Sequence, residues 1–473
     1  MVFNSTAFAC FFAIVVPCYW LLGRAHRLQN VFLLAAGYYF YASWNPRFLA
    51  LLVLSTVMDY ACGLWVDHVQ SPGRRKAIVA LSMTLNLAVL AYFKYFNFFA
   101  ESLHDLLSRL GVGIPVAHLR VVLPIGISFY TFQSMSYVID VYRRDLKPTR
   151  NLVQFAAFVS FFPHLVAGPI MRPTTLLPQI ANRRRFDFAQ FQSGAYLIFW
   201  GLFKKVVVAD NLATLVSELF GHRQSLDGGQ AILAVYAFAF QIYGDFSGYT
   251  DMARGVARCL GFELSLNFNL PYFATSPRDF WNRWHISLSQ WLRDYLYIPL
   301  GGGRGGSLFT YRNLMITMAL GGLWHGAKWT FVVWGVYQGS LLVAHRLLGP
   351  WLSKVDPRDA FERACWTGVR IVVTFHLVCL GWLIFRADSL EQAMVLLRAM
   401  IEQPALPRAP DLARFLVVVV PLLMVQIVQY ASDDLDILAR APWYARSAFY
   451  TLCYYGIVLG GEFGGEQFIY FQF

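Results

Sequence analysis

Three histidines stand out because each lies in or beside an apolar part of the chain. His325 occurs in the motif Gly321-Gly-Leu-Trp-His-Gly326, between two apolar runs. An ionisable side chain in such a position either hydrogen-bonds across two helices or serves a function. The three glycines of the motif favour a function, because they let backbones approach closely and let a helix break, as a reactive cavity requires. We therefore predict that His325 is catalytic.

A buried imidazole suits acyl transfer to an alcohol. In its neutral form, with an ordinary pKa of about 6.5, it can take the proton from a hydroxyl group that attacks an activated acyl group. A thioester supplies the leaving group, so the protein need only align donor and acceptor and stabilise the oxyanion. The motifs HExxH, GxSxG and GK[ST], which would indicate other chemistries, do not occur in the sequence.

His285 and His164 are weaker candidates from sequence alone. His285 lies in a stretch rich in Trp and Arg, where helices at a membrane surface routinely carry histidine. His164 lies within residues 151–170, an apolar stretch that two prolines and a glycine interrupt before a basic loop. Such a stretch is typical of a re-entrant segment, which is tolerated at membrane depth only where it is buried in protein or lines a cavity.

Two acidic residues, Asp245 and Asp251, lie just past an apolar run. A carboxylate at such a position needs a partner. We predict that Arg254 or Arg258, a few residues further along the chain, is that partner. We interpret this group as structural.

Residues 250–311 combine arginine with aromatic side chains and are too polar to cross a membrane. Amphipathic helices at the cytoplasmic interface fit this composition. Within the stretch, the run Gly301–Gly306 is an ordinary flexible connector. The alternative is that its backbone amides and Arg304 contact a phosphate, but no strand precedes the run and the motif is weak.

The composition identifies the class of protein. Of 473 residues, 57% are hydrophobic and 14% charged, whereas soluble domains average about 45–50% apolar and about 25% charged. We predict an all-α polytopic membrane protein without a soluble domain. The net charge of +12 fits cytoplasmic loops facing anionic lipids, so we expect no nucleic-acid partner. The seven cysteines contain no CxxC pair and predict neither a disulfide framework nor a zinc site.

The distribution of basic residues predicts an orientation. Arg24 and Arg27 follow the first apolar run, so by the positive-inside rule the N-terminus lies outside. Later basic clusters alternate with apolar runs in a way that agrees with this orientation. The further predicted spans are residues 28–44, 47–66, 77–99, 121–141, 191–216, 230–249, 312–323, 329–348, 366–386, 412–430 and 444–462.

Several segments resemble a known family, the membrane-bound O-acyltransferases (MBOAT), in the branch that modifies bacterial polysaccharides. The likeness extends from residue 1 to about residue 390. The most specific segments are Asn267-Phe-Asn-Leu-Pro-Tyr272, Ser276-Pro-Arg-Asp-Phe-Trp-Asn-Arg-Trp-His-Ile-Ser287, Trp291-Leu-Arg-Asp-Tyr-Leu-Tyr-Ile-Pro-Leu-Gly-Gly302 and Leu320-Gly-Gly-Leu-Trp-His-Gly-Ala327.

The resemblance implies a fold and a set of site residues. The fold is a ring of roughly 10–12 transmembrane helices, with re-entrant and interfacial helices, around a central funnel or tunnel. It implies a single acyltransferase domain over residues 1–473, with peripheral helices in 1–150, a catalytic core in 151–345 and C-terminal helices in 346–473. The catalytic residues fall on His325 and His285. The residues that we expect to bind the donor or line the tunnel are Arg278, Trp281, Arg283, Trp284, Arg304, Trp324 and His164.

The resemblance also implies substrates and a location. The donor would be acetyl-CoA or another acyl thioester, with no bound cofactor and no metal. The acetyl group would cross the bacterial inner membrane to a periplasmic acetyltransferase partner or directly to a polysaccharide hydroxyl. The acceptor stays open between alginate, cellulose, peptidoglycan and another exopolysaccharide, and D-alanyl transfer to teichoic acid is less favoured. A transporter or flippase is the alternative of another class, although transporters often show internal repeats and we find none.

Overall fold

The computed structural model describes residues 1–112, 115, 119, 122–166, 168–221, 226–352, 357, 359–464 and 469. Over these residues the secondary structure is helical and contains no strand, as the composition predicts. The helices are α1 Thr6–Leu21, α2 His26–Ala42, α3 Pro46–His68, α4 Pro72–Leu90, α5 Phe96–Arg109, α6 Ile127–Arg143, α7 Leu152–Val159, α8 Pro173–Ala181, α9 Phe188–Phe203, α10 Asp210–Gly221, α11 Gly228–Cys259, α12 Pro277–Arg283, α13 Ile286–Leu292, α14 Ser307–His325, α15 Trp329–Leu352, α16 Ala360–Arg386, α17 Leu390–Glu402, α18 Ala409–Ser432, α19 Ile437–Arg440 and α20 Trp443–Gly460.

Short π-helical segments continue three of these helices. Ala91–Tyr95 joins α4 to α5, Lys204–Ala209 joins α9 to α10, and Arg293–Tyr297 follows α13. A π-turn inserts extra backbone into a helix and is frequent at functional sites. The segments after α9 and α13 both carry charged side chains that matter below.

Five helical segments among the described residues are long and apolar enough to cross a membrane. They are Pro46–His68, Pro72–Arg109, Trp329–Leu352, Ala360–Arg386 and Ala409–Ser432. Helix α1 is apolar but has 16 residues, fewer than the about 20 that a perpendicular crossing needs. The chain is therefore a polytopic helical membrane protein. The predicted ring of more crossings around a central tunnel remains a prediction.

The apolar stretch that follows residue 150 is broken, as its prolines and glycine predict. Helix α7 has eight residues and α8 has nine, so neither is long enough to cross a bilayer. Residues 162–166 between them form turns. His164 lies in these turns.

The prediction that residues 250–311 begin a run of interfacial helices was wrong at its start. Helix α11 continues to Cys259 and has 32 residues, so residues 250–259 extend the preceding apolar helix. The helix tolerates Asp251 because Lys204 Nζ lies 2.6 Å from its carboxylate. The short helices α12 and α13, of seven residues each, follow only after an irregular segment.

The chain forms two compact units. Unit 1 comprises Met1–Ile198 with Ala253–Ser265, and unit 2 comprises Phe199–Met252 with Leu266–Phe473. Helices α12 to α20 therefore belong to unit 2. The predicted division of the chain at residues 150 and 345 is a different one and rests on the resemblance alone.

In unit 1, a buried arginine joins α1, α2 and α8. The Arg184 guanidinium is 7% exposed and donates to Tyr19 Oη at 2.9 Å, Gln29 Oε1 at 2.9 Å, Asn30 Oδ1 at 2.6 Å and the carbonyl oxygen of Ile180 at 2.8 Å. These acceptors are neutral, so hydrogen bonds rather than a carboxylate compensate the buried charge. This arrangement is structural.

In unit 2, α14 and α15 form a closely packed helical hairpin. A Cβ atom on Gly335 would overlap the carbonyl oxygen of Met318, and one on Gly322 would overlap that of Phe331. Small residues at these positions let the two backbones approach closely, as is common between membrane helices. The hairpin positions His325, which is the last residue of α14.

Candidate active site

His325 lies in an aromatic enclosure within unit 2. Its side chain is 4% exposed, and its ring centroid lies 5.1 Å from that of Trp334 at an interplanar angle of 89°. The ring centroids of Trp324 and Phe385 lie 5.1 and 5.5 Å away. Edge-to-face packing of this kind fixes the orientation of a ring. The end of α14 and the facing helices α15 and α16 thus hold the imidazole in place.

His285 is also buried, at 0% exposure, and lies close to His325. The indole of Trp324 contacts both histidines, with ring-centroid distances of 6.1 Å to His285 and 5.1 Å to His325. His285 Nδ1 lies 3.2 Å from Asn267 Oδ1, and the Phe246 ring packs edge-on at 4.7 Å. His285 is thus a fixed residue of the enclosure and not a histidine at a membrane surface.

The surroundings of His285 favour its neutral form. Burial, and secondarily the positive charge that His325 can carry, hold the pKa of His285 well below its ordinary value of 6.5. Two imidazolium groups so close together in a dry environment would repel each other. At neutral pH, therefore, His285 is uncharged.

A cavity of about 560 Å³ borders His325. Its apolar wall includes Trp281, Trp334, Leu292 and Met318, and Gly321 opens one side because no side chain projects there. His285 is not among its lining residues. The cationic or titratable residues that line the cavity, besides His325, are Arg278, Arg293, Tyr297, His345 and Arg346.

The structure brings some of the predicted binding residues to this cavity and not others. Arg278, Trp281 and His325 line it. Arg283 instead pairs with Asp279 at 2.8 Å. Arg304 lies in the turn before α14 and does not line the cavity.

Two tryptophans that were predicted to bind the donor or line the tunnel instead pack around the enclosure. Trp284 is 1% exposed and packs against the rings of Trp382 and Phe268 at centroid distances of 4.9 and 5.0 Å. Trp324 contacts both histidines, at ring-centroid distances of 6.1 and 5.1 Å. Neither lines the cavity, so both contribute to the position of other side chains.

His164 belongs to unit 1 and is hydrogen-bonded there. Its Nε2 lies 2.7 Å from Gln133 Oε1 of α6, and its side chain is 2% exposed. The ring also packs against Phe161 at 5.5 Å. These contacts connect the turns after α7 to α6.

The structure shows lysine partners for Asp245 and Asp251 that the sequence did not indicate. Asp251 pairs with Lys204, and Asp245 with Lys205 at 2.8 Å. Lys205 also contacts Asp210 at 2.7 Å. The two lysines lie on the π-helical segment after α9, about 40 residues earlier in sequence, so the tertiary fold supplies the partners. Sequence proximity had suggested Arg254 or Arg258, and of these Arg258 pairs with Glu263 at 3.1 Å.

Sequence reasoning did not single out four titratable residues of the cavity, which are Arg293, Tyr297, His345 and Arg346. Arg293 and Tyr297 belong to the π-helical segment after α13, while Arg346 lies on α15. A signal for Arg346 was present, because it follows Trp334 and Leu342 on the stripe of α15 that lines the cavity. A basic residue at the end of an otherwise apolar stripe indicates that the cavity has a polar entrance at that point.

The arrangement can perform acid–base chemistry on a substrate that enters the cavity. A neutral imidazole can accept a proton, and the dry enclosure strengthens its electrostatic interactions. The arginines can bind an anionic group at the same time. Within the part of the chain that the structure describes, no group of three or more His, Cys, Asp or Glu side chains could hold a metal ion.

Comparison with known proteins agrees with this chemistry. The chain is 45% identical over 403 residues to the probable alginate O-acetylase AlgI of Pseudomonas aeruginosa, covering 85% of this chain and 75% of that protein. It is 45% identical over 404 residues to the AlgI of Azotobacter vinelandii, covering 85% and 78%. It is 35% identical over 401 residues to the peptidoglycan O-acetyltransferase of Helicobacter pylori, covering 79% and 73%.

The family profile described as "MBOAT, membrane-bound O-acyltransferase family" matches residues 39–384. This range includes α3 to α15, the buried histidines His164, His285 and His325, and every residue that lines the cavity. The chain belongs to the membrane-bound O-acyltransferase family and is an O-acyltransferase.

Proposed function

We propose that this enzyme transfers an acetyl group from a thioester to a hydroxyl group for the O-acetylation of an alginate-like exopolysaccharide, directly or through a periplasmic partner, with His325 as the general base. The observation that carries the proposal is the buried imidazole at a cavity that also contains cationic side chains. The names of the relatives at 45% identity support alginate as the acceptor. Peptidoglycan is the second candidate acceptor, supported by the relative at 35% identity.

The proposed reaction needs one base near the attacking hydroxyl. The imidazole of His325 accepts the hydroxyl proton while the oxygen forms a bond to the thioester carbonyl carbon. When the carbon–sulfur bond breaks, the leaving sulfur takes the proton and departs as a thiol. The enclosure of Trp324, Trp334 and Phe385 keeps water away from the acyl group, which limits hydrolysis.

The cationic residues of the cavity support a phosphate-bearing thioester, such as acetyl-CoA, as the donor. Arg293 is paired with Asp294 at 2.6 Å. Arg278 and Arg346, by contrast, have no ion-pair partner within the described ranges, so they can bind phosphate oxygens. Arg278 was expected from sequence to do so. The proposal replaces Arg283 and Arg304 by Arg346.

The donor and the acceptor imply a location and a partner. We propose that the enzyme lies in the bacterial inner membrane with its N-terminus outside, since the positive-inside rule favours this orientation. A thioester from the cytosol and a polysaccharide outside then require the acetyl group to cross the membrane. A periplasmic acetyltransferase that receives the group is the proposed partner, and direct transfer to the polymer is the alternative.

Replacement of the proposed base tests the function. Since general-base catalysis contributes about 10²–10⁴-fold to a rate, we expect His325→Ala to remove nearly all ester-bound acetate from the polymer. Acetate released from purified polymer measures the activity, and immunoblotting of membranes measures the protein level. His68→Ala, at an exposed histidine of α3, is the matched control. Normal acetylation by His325→Ala at a normal protein level would refute the proposal.

A further inference from the structure

We propose that Asn267 is a positioning residue that holds the backbone and the tautomer of His285 for acyl transfer. The inference rests on the proposed function, because it assigns a role in that reaction. Asn267 lies in the irregular segment before α12 and is 0% exposed. Its side chain reaches the segment that joins α12 to α13.

The first observation is that one oxygen atom organises this segment. Asn267 Oδ1 accepts hydrogen bonds from the Ser287 backbone N–H at 3.2 Å and from Ser287 Oγ at 2.9 Å. His285 Nδ1 lies 3.2 Å from the same oxygen. In addition, the backbone carbonyl oxygen of Asn267 accepts from the Ile286 N–H at 3.0 Å. Three consecutive residues are therefore bonded to Asn267.

The second observation is the backbone conformation of His285. Its φ of 44° and ψ of 52° lie in the left-handed region, which a residue with a Cβ atom rarely adopts. Such conformations persist when the surroundings determine them, and they cluster at active sites. Here the bonds from residues 286 and 287 to Asn267 hold the chain in this conformation, and α13 begins at the next residue.

These bonds determine the tautomer. A backbone N–H can only donate, so the atom of Asn267 that faces Ser287 must be the amide oxygen. The nitrogen of His285 that faces the same oxygen must then carry a hydrogen and donate it. His285 is accordingly protonated at Nδ1, and Nε2 carries the lone pair when the ring is neutral.

This tautomer gives His285 a defined role beside the base. His325 becomes positively charged when it takes the hydroxyl proton, and His325 is the titratable group that acts on His285 across Trp324. The rings of Phe246 and Trp324, both uncharged, also pack against His285. A neutral His285 that can accept but not donate at Nε2 stabilises a nearby cation, whereas a charged one would oppose it.

Asn267→Asp is the decisive variant. An aspartate keeps the acceptor oxygen for all three donors. Replacing the amide nitrogen by a second oxygen breaks no hydrogen bond, because Asn267 Nδ2 has no hydrogen-bond partner among the described residues. The added negative charge favours the charged form of His285, since a carboxylate within about 4–6 Å raises the pKa of such a group by about 1–3 units. We expect the acid limb of the pH–activity profile to move upward by about one pH unit or more.

Two control variants separate positioning from mere structure. Ser287→Ala removes a donor to the same oxygen without changing the charge near His285, so the acid limb should stay in place. In a His285→Ala background, Asn267→Asp should no longer move the acid limb, because the group that it acts through is absent. An equal shift with and without His285 would overturn the inference.

A measurement on the unmutated enzyme covers the case in which Asn267→Asp does not accumulate. ¹⁵N NMR of protein labelled at its ten histidines reports the tautomer of each neutral ring. We expect a signal for a ring protonated at Nδ1 that disappears in His285→Ala. A signal of the opposite tautomer from His285 would overturn the inference while leaving the role of His325 intact. Activity retained in His325→Ala would instead overturn the proposed function.

Discussion

His164, His285 and His325 are all buried, yet their neighbours give them different chemical properties. A hydrogen bond to Gln133 holds His164, and a hydrogen bond to Asn267 holds His285. His325 has mainly aromatic neighbours and borders the cavity. Burial alone therefore does not identify a catalytic histidine. Contact with a space that a substrate can enter distinguishes His325 from the other two.

The cationic residues of the cavity lead to a prediction at the same scale. Arg278→Gln and Arg346→Gln should each raise the KM for the thioester donor about tenfold, with a smaller effect on kcat, because a phosphate contact far from the reacting atoms contributes equally to ground and transition states. Initial rates in membranes at varied donor concentration measure this.

Arg312→Gln is the matched control for these variants. Arg312 lies on α14 but stacks on Phe309 at 4.9 Å and does not line the cavity, so its KM should equal that of the wild type. Unchanged donor dependence in both Arg278→Gln and Arg346→Gln would place the donor phosphates elsewhere.

Residue types predicted only part of this site. The glycines and the apolar flanks of His325 were enough to indicate a buried, reactive imidazole. Its neighbour His285 was harder to interpret, because a stretch rich in Trp and Arg equally suits a membrane surface. The lysine partners of Asp245 and Asp251 could not be predicted from sequence, because Lys204 and Lys205 approach the two carboxylates only through the packing of α9–α10 against α11.

At the scale of elements, two adjacent glycines of α14 serve different purposes in its hairpin with α15: one allows close helix packing and the other leaves space for the cavity. Gly322 faces α15, where a Cβ atom would overlap the carbonyl oxygen of Phe331. Gly321 faces the cavity, where a Cβ atom would meet only Leu292 Cδ1, at 3.2 Å. From sequence, both glycines were expected to serve a reactive cavity at His325. The structure assigns Gly322 to helix packing and leaves Gly321 at the cavity.

This difference predicts opposite outcomes for the same substitution. Gly322→Ala should destabilise the protein by about 1–3 kcal/mol, because overpacking forces the two backbones apart. Gly321→Ala should leave stability nearly unchanged and lower activity by narrowing the cavity at Leu292. Thermal unfolding in detergent measures the first effect, and acetate transfer at matched protein levels measures the second. A stable Gly322→Ala variant would contradict the close packing of α14 and α15.

At the scale of the whole molecule, composition and hydropathy predicted the class of protein correctly and the boundaries of its elements less well. Average apolarity identified a polytopic helical protein, and the prolines after residue 150 located a break. The extension of α11 to Cys259 escaped prediction because hydropathy treats Asp251 as solvated, whereas Lys204 neutralises it within the fold. Where a buried ion pair of this kind occurs, a prediction from composition ends the helix too early.

The proposed orientation of the whole chain can be tested by labelling. In a variant lacking its seven cysteines, a single cysteine at Gly73, the second residue of α4, should react with a membrane-impermeant maleimide only after the cells are permeabilised. A single cysteine at Trp44, between α2 and α3, should react in intact cells with a permeable outer membrane. The reverse pattern would place the N-terminus in the cytosol.

The π-helical segment after α9 has a consequence for biosynthesis. Lys204 and Lys205 leave the ribosome before Asp245 and Asp251, which follow on α11. Of the carboxylates that pair with these lysines in the described residues, only Asp210, which pairs with Lys205, is close to them in sequence. A lysine at the centre of an inserting helix costs about 2.5–3.5 kcal/mol. We therefore expect the predicted span over residues 191–216 to insert stably only together with α11, which follows it in the order of translation.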